Sequence, residues 1–355
     1  MANSYQNSQT KLYMKRIHDI LQELPEFCGD YFRSMANKNL SVLTRYSYAI
    51  DLRGFFQFLV EELPSAFPTS SVREFTIQDL QRVRAEHIEM YLDYVTVYER
   101  DEKERMNRDR ARARKLSALR AFFKYYFKWE QLEANVAALV ETPKINDRAI
   151  VRLEPNEVAN LLDRVENGES LTEHQKKYHA STRLRDIAIL TLFLGTGIRI
   201  SELVGIDFTD IDFENRTFLV FRKGGKEEIL SFGEEVYAAL YDYAQQRVEM
   251  TPMEGHDSAF FLSMQNRRIT VRAVENLVKK YAATSVPLKH ITPHKLRSTY
   301  GTMLYQQSRD IYLVADVLGH KDVNTTRKHY AAQAEDNRRM AARMIHLRDE
   351  PEDQA

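Results

Sequence analysis

Apolar residues recur at helical spacing through most of the chain and turn strand-like in one short region only. Residues 9–35 carry Leu, Tyr, Ile and Phe three and four apart, the stripe of one or two amphipathic helices. A second such pattern runs from Leu40 to Glu62 and stops ahead of Pro64 and Pro68, which mark a loop. A third runs from Ile77 to about Tyr98. A fourth, over residues 106–129, carries Leu116, Leu119, Phe122, Phe123, Tyr126 and Phe127, whose aromatic rings read as core before they read as a platform for stacked bases. Asn135 to Leu139 predicts a short closing helix. These segments make an all-helical first domain, residues 1–145.

The stretch from Thr142 to Arg152 is polar, and the linker is placed at residues 146–154. A new helix begins near Pro155, with Glu154 or Asn156 at its cap and Val158, Leu161 and Leu162 on its apolar face. Leu184 to Thr196 predicts a strongly apolar helix ending at Gly195-Thr196-Gly197, and Ile200 to Val204 continues helically. Only Thr217 to Arg222 and Glu228 to Phe232 are β-rich; they flank Lys223-Gly224-Gly225-Lys226, a hairpin signal. Helices return over 234–249, 270–283, 294–307, 310–318 and 322–330. The fold class is therefore mainly α, with a second domain, residues 155–355, that adds one small antiparallel sheet. The tail from Glu335 to Leu347, with Met340, Met344, Ile345 and Leu347 at helical spacing, predicts a last helix that docks on a neighbouring protomer or packs on its own domain.

Composition narrows this picture. A chain of 355 residues, 43% apolar, suits two domains of ordinary size. Lys and Arg number 51 and so do Asp and Glu, so net charge points to no partner. The distribution says more: Lys103 to Lys128 holds ten basic residues against Glu104 and Asp109, a stripe that either is a solvated face or attracts phosphates. Cys28 is the only cysteine, so an internal disulfide and a cysteine-rich metal site are excluded. The polar start MANSYQNSQTK lacks a signal-peptide core, and the apolar run Ile187 to Phe193 is far shorter than the roughly 18 residues of a membrane span. A soluble, cytoplasmic protein without a membrane partner is the expectation.

A few residues could carry chemistry. Arg199 follows a glycine turn at a helix start, with Glu202 three residues on; the two form a plain structural pair, or the arginine meets an anion. Lys223 sits at a turn that either leaves it solvated or lets it reach into a groove and give up a proton. His294 and Arg297 face the same way on a helix that opens at Pro293, where the helix N-terminus favours phosphate. An arginine fork matches two phosphate oxygens, and histidine exchanges protons near neutrality. His320 follows Gly319, and Tyr330 follows ten residues later. Tyrosine, with a reference pKa of about 10, needs a base and a positively charged phosphate before it can attack.

Taken together, GTGIRISELVGI, KGGKE, TPHKLRSTYGT and LGHKDVNTTRKHY resemble the motifs of the tyrosine recombinase (phage-integrase) family, with Arg199, Lys223, His294, Arg297, His320 and Tyr330 in order. RKLSALRAFFKYYFKWEQLEANVA is similar to the end of that family's core-binding domain, and the likeness spans roughly residues 20–335. Within the family the chain is most similar to the Xer recombinases, in particular the XerS branch that acts alone. The resemblance implies a SAM-like helical core-binding domain and a catalytic domain that together clamp duplex DNA. It implies attack by Tyr330 to leave a 3′-phosphotyrosyl link and a free 5′-hydroxyl. Arg199, Arg297 and His320 would stabilise the phosphate, His294 would act as base, Lys223 as acid, and Glu202 would orient Arg199. Neither ATP nor metal nor another cofactor is implied. Arg108, Arg112, Arg114, Lys115 and Arg120 are the candidate phosphate contacts of the first domain. Implied partners are a dif-like duplex site, three further copies of the chain in a tetramer on two duplexes, and the DNA translocase FtsK. Resolution of chromosome dimers would be the purpose. Integration of a mobile element, type IB topoisomerase activity and a non-catalytic DNA-binding regulator are the alternatives. One departure stands out: His320 precedes Tyr330 by ten residues, where many Xer-type proteins have nine, and His329 is left with no assigned role.

Overall fold

A computed structural model describes residues 4–100, 103–106, 109–144, 151–169, 171–222 and 225–319. The chain divides into two compact units, Met1–Arg148 and Ala149–Ala355.

In the first unit, α1 (Ser4–Leu21), α2 (Cys28–Asn37), α3 (Val42–Glu62), α4 (Ile77–Gln81), α5 (Ala85–Tyr94) and α6 (Asp109–Lys128) surround one aromatic core. Phe56 of α3 meets Phe75 edge-on at 5.1 Å and Phe122 of α6 at 5.9 Å. Phe122, Phe123 and Tyr126 are buried, so the rings of α6 are core as their spacing suggested; Phe127 is half-exposed. The third helical pattern is broken. Thr76 and Asp79 cap α4 reciprocally, and Arg84 is extended, its N–H donating to His87 Nδ1 at 3.1 Å to start α5. Beyond α5 the chain forms a hairpin, β1 (Val97–Arg100) antiparallel to β2 (Lys103–Met106), which periodicity alone missed. The β-branched and aromatic run Val95-Thr96-Val97-Tyr98 was its readable signal. Asn135 to Leu139 closes the unit with a single 3₁₀ turn, Val136–Ala138.

The second unit begins ahead of its first helix. Leu153, placed in the linker by composition, is buried, and its N–H donates to Thr299 Oγ1 at 2.9 Å. Glu154 then caps α7 (Pro155–Asn167). The central α8 (Glu173–Thr196) starts well before Leu184 because Thr172 and Gln175 form a capping box ahead of a solvated first half. It packs against α7, α10 (Glu234–Glu249) and α12 (Pro293–Ser308). A one-turn α9 (Ile200–Leu203) leads into a sheet of order β3 (Ile211–Asp212), β4 (Thr217–Phe221) and β5 (Glu227–Ser231), antiparallel throughout. Then α11 (Val271–Ser285) precedes α12, and α13 (Ile311–Val317) follows it. The fold is thus mainly helical with one small three-stranded sheet in this unit. The helices expected at 322–330 and 335–347 lie outside the described residues. Among the described residues no helix is long and apolar enough to cross a membrane.

Candidate active site

The site is built where α8 ends. Gly197 takes a left-handed conformation, φ 62°, and a Cβ there would strike the ring of Tyr300 on α12 and lie 2.9 Å from Leu318 Cδ2. Only glycine lets the chain turn this close to α12 and to the residues after α13. Two residues on, Arg199 is extended and caps α9. The Glu202 carboxylate accepts the Arg199 backbone N–H at 3.0 Å and Nη1 at 2.8 Å. The Glu202 side chain is 3% exposed, and this pairing gives the buried carboxylate the partner it needs.

Arg199 and Arg297 meet on the backbone that follows α13. Arg199 Nη2 donates to the carbonyls of Leu318 at 3.1 Å and Gly319 at 3.0 Å. Arg297, buried on α12, donates to the Gly197 and Leu318 carbonyls. The Arg199–Glu202 pair is therefore structural, and it also presents a guanidinium beside a second one. His294 sits one turn before Arg297, exposed, next to Pro293 at the helix start. On the same helix, burial pushes the Tyr300 phenol above its ordinary pKa, opposed by the nearby Arg297 charge.

Sequence reasoning missed a third arginine. Arg222 directly follows β4, is 6% exposed, and donates through Nη1 to Leu318 O and through Nη2 to Val317 O, both at 3.1 Å. Its Nε and Nη2 also grip the Glu228 carboxylate at 3.0 and 2.9 Å. The readable signal was a diagonal cross-strand pair of opposite charge: Glu228 faces Val220, two residues before Arg222. Three guanidinium groups thus converge on one carbonyl oxygen. Lys223, His320 and Tyr330 lie outside the described residues. Arg222 and Gly319, their immediate neighbours for the first two, lie against each other.

The basic stripe of α6 is mostly used within its own unit. Asp51, fully buried on α3, pairs with Arg114 and with Lys115 Nζ at 3.4 Å. Arg112 Nε donates to Leu92 O at 3.1 Å. Arg120 donates to the carbonyls of Ala137 at 3.2 Å and Val140, and to Thr142 Oγ1 at 2.8 Å, fixing the chain after α6. Arg108 lies outside the described residues. Arg110, Arg114, Lys124 and Lys128 are exposed at successive intervals of four, ten and four, which places them on one face of α6. A cleft of about 520 Å³ between α7, α8 and α10 holds none of the converging arginines; among the described residues it sets Asp163, Glu166, Glu235 and Asp242 against the one cation Arg183, a net negative lining that disfavours phosphate.

Comparison with known proteins bears on these parts together. The chain is 33% identical over 313 residues to the tyrosine recombinase XerC of Caldanaerobacter subterraneus subsp. tengcongensis, covering 85% of this chain and 81% of that one. It is 28% identical to the tyrosine recombinase XerS of Streptococcus thermophilus, covering 89% and 94%. The crystal structure of the XerH site-specific recombinase bound to palindromic difH substrate shares the fold, with a TM-score of 0.63, 19% identity, and coverage of 93% and 88%. Residues 151–337, which include every residue of the arginine cluster, match the phage integrase family, and the chain belongs to that family as an Xer-type tyrosine recombinase.

Proposed function

We propose that this recombinase cuts and rejoins duplex DNA at a dif-like site, with Tyr330 as nucleophile, and that it resolves chromosome dimers. The observation that carries the reading is the meeting of Arg199 and Arg297 at Leu318–Gly319, the residues that lead into His320. Two guanidinium forks side by side suit the two non-bridging oxygens of one phosphodiester. They stabilise the charge that grows there as the bond order to phosphorus changes. In the proposed step the Tyr330 oxygen bonds to phosphorus and the bond from phosphorus to the 5′-oxygen breaks. The tyrosine proton passes to His294, and the 5′-oxygen takes a proton from Lys223. His320 donates a further hydrogen bond to the phosphate. Ligation reverses these steps, because the phosphotyrosyl link keeps the bond energy.

The first unit, with the linker before Pro155, supplies the core-binding half of the clamp. Its phosphate contacts come from the exposed α6 face carrying Arg110, Arg114, Lys124 and Lys128. Four copies act on two duplexes, and the tail beyond Tyr330 joins them. A DNA translocase such as FtsK controls the event. The likeness to XerH, a recombinase bound there to a difH substrate, supports the dif-like site.

The test is covalent trapping on nicked duplex DNA, followed by mapping of the trapped site on the chromosome. Wild-type protein gives a protein–DNA band and Tyr330→Phe gives none. A band that survives in Tyr330→Phe overturns the nucleophile. A site at a mobile-element boundary instead of near the replication terminus moves the purpose to integration. Relaxation of supercoils without site preference moves it to a topoisomerase.

A further inference from the structure

Arg222 touches both chain segments that bear residues of the proposed proton and phosphate machinery. Its backbone closes the hairpin turn: its N–H donates to Lys226 O at 2.8 Å, and its carbonyl accepts from Gly225 N at 3.1 Å. Lys223 is the next residue in the sequence. The Arg222 guanidinium, at the other end of its side chain, lies against Gly319, the residue before His320. Gly319 has φ 56°, and a Cβ there would come within 2.5 Å of Arg222 Nη1 and 2.7 Å of Cζ. The same guanidinium holds the Val317 and Leu318 carbonyls, and its Nη1 is 4.0 Å from the Glu202 carboxylate that holds Arg199. A guanidinium this buried is fixed by planar, bidentate pairing with Glu228, so it transmits position rather than flexing.

We propose that Arg222 is a positioning residue for strand cleavage: it ties the base of the Lys223 turn to the Leu318–Gly319 backbone, and so places the leaving-group proton donor against the phosphate held by Arg199 and Arg297. The inference rests on the assignment of Lys223 as the acid that protonates the 5′-oxygen. Arg222 gives up no proton itself. With Arg222 removed, the turn keeps its hydrogen bond to Lys226 but loses its link to the phosphate side, and transfer of the Lys223 proton slows. The arginine clamp keeps its own contacts.

A sulfur-bridged substrate separates these roles. When the bridging 5′-oxygen is replaced by sulfur, the leaving group departs as a thiolate and needs no proton, because a thiol is far more acidic than an alcohol. Full-length wild type, Arg222→Ala and Lys223→Ala are compared on two nicked duplexes carrying the site trapped by wild type, one with bridging oxygen and one with bridging sulfur. Arg222→Ala loses cleavage on the oxygen substrate by about a hundredfold and falls within about threefold of wild type on the sulfur substrate. Equal loss on both substrates, or no loss on either, overturns the proposal. Glu228→Gln, a milder change at a partly exposed position, removes the charge that pins Arg222 and keeps the fold in reach. It gives an oxygen-selective loss of about tenfold; a loss that is the same on both substrates counts against Arg222 even where Arg222→Ala does not fold. Failure of wild type to form an adduct on either duplex overturns the proposed strand cleavage on which this inference rests. An Lys223→Ala defect that sulfur does not relieve overturns the acid assignment.

Discussion

At the scale of single residues, the site depends on one glycine as much as on its arginines. Gly197→Ala puts a side chain into a left-handed backbone, a cost of about 1 kcal/mol, and drives it into Tyr300 on the helix that carries Arg297. A displacement of about 1 Å in a catalytic group lowers rate by about a hundredfold. Covalent trapping by Gly197→Ala is expected to fall by that order while DNA affinity, read by a mobility shift, stays within a few-fold. Cleavage at the wild-type rate would mean that the close approach does not set Arg297. Arg199 beside a glycine turn and the His294–Arg297 pair each also have a plain structural reading in the sequence, and the motif likeness is what singles them out. Arg222 shows in the sequence only as a possible diagonal cross-strand partner of Glu228, and its contact with the Gly319 backbone is made by the tertiary fold alone. Lys223 and Tyr330 rest on motif likeness, since the described residues stop short of both.

At the scale of elements, α6 carries the aromatic core face that its spacing suggested, and its basic residues divide between contacts within the unit and an exposed face. Periodicity tells which face is apolar; it cannot tell that Asp51, on α3, waits under Arg114 and Lys115. The two roles of the helix are separable. Asp51→Ala leaves two cations beside a buried, uncompensated position and should cost about 3 kcal/mol in chemical denaturation. The double change Arg110→Ala with Lys124→Ala touches exposed positions and should leave stability nearly unchanged. It should weaken DNA binding across all sequences and lower the salt slope of the affinity by about two. The opposite pattern, a stable Asp51→Ala and an unchanged slope in the double variant, would refute this division. The same limit explains the third helical pattern. Residues 77–94 keep helical spacing across Arg84, so the break shows only in the capping chemistry of Thr76, Asp79 and His87.

At the scale of the whole molecule, two compact units with separate cores should unfold in separable steps, and each holds a histidine that burial biases toward the neutral form. In the first unit His87 accepts the Arg84 N–H through Nδ1 and packs edge-on to Phe67 at 5.3 Å; burial lowers its pKa most, the Glu86 charge raises it and Arg84 lowers it again. In the second unit His179 lies on α8 beside Gly168 and the Tyr281 hydroxyl. Burial is again the main lowering cause there, with the Glu166 backbone opposing it and Lys280 adding to it. A lowered folded pKa means that the unfolded chain takes up the proton first as pH falls. Stability contributed by the neutral rings is therefore complete above the ordinary histidine pKa and is lost progressively below it. Both unfolding transitions should move to lower temperature between about pH 7.5 and about pH 5.5. Because Tyr281 also hydrogen-bonds Asp186 at 2.9 Å, and Lys280 Nζ reaches the same carboxylate at 3.2 Å, a proton on His179 adds charge to a node that already holds a cation. His179→Gln should therefore flatten the pH dependence of the second unit's transition and leave that of the first unit unchanged, as read by calorimetry across the range. A slope that survives in His179→Gln would place the acid sensitivity elsewhere, and a slope lost in both transitions at once would mean that the two units unfold as one.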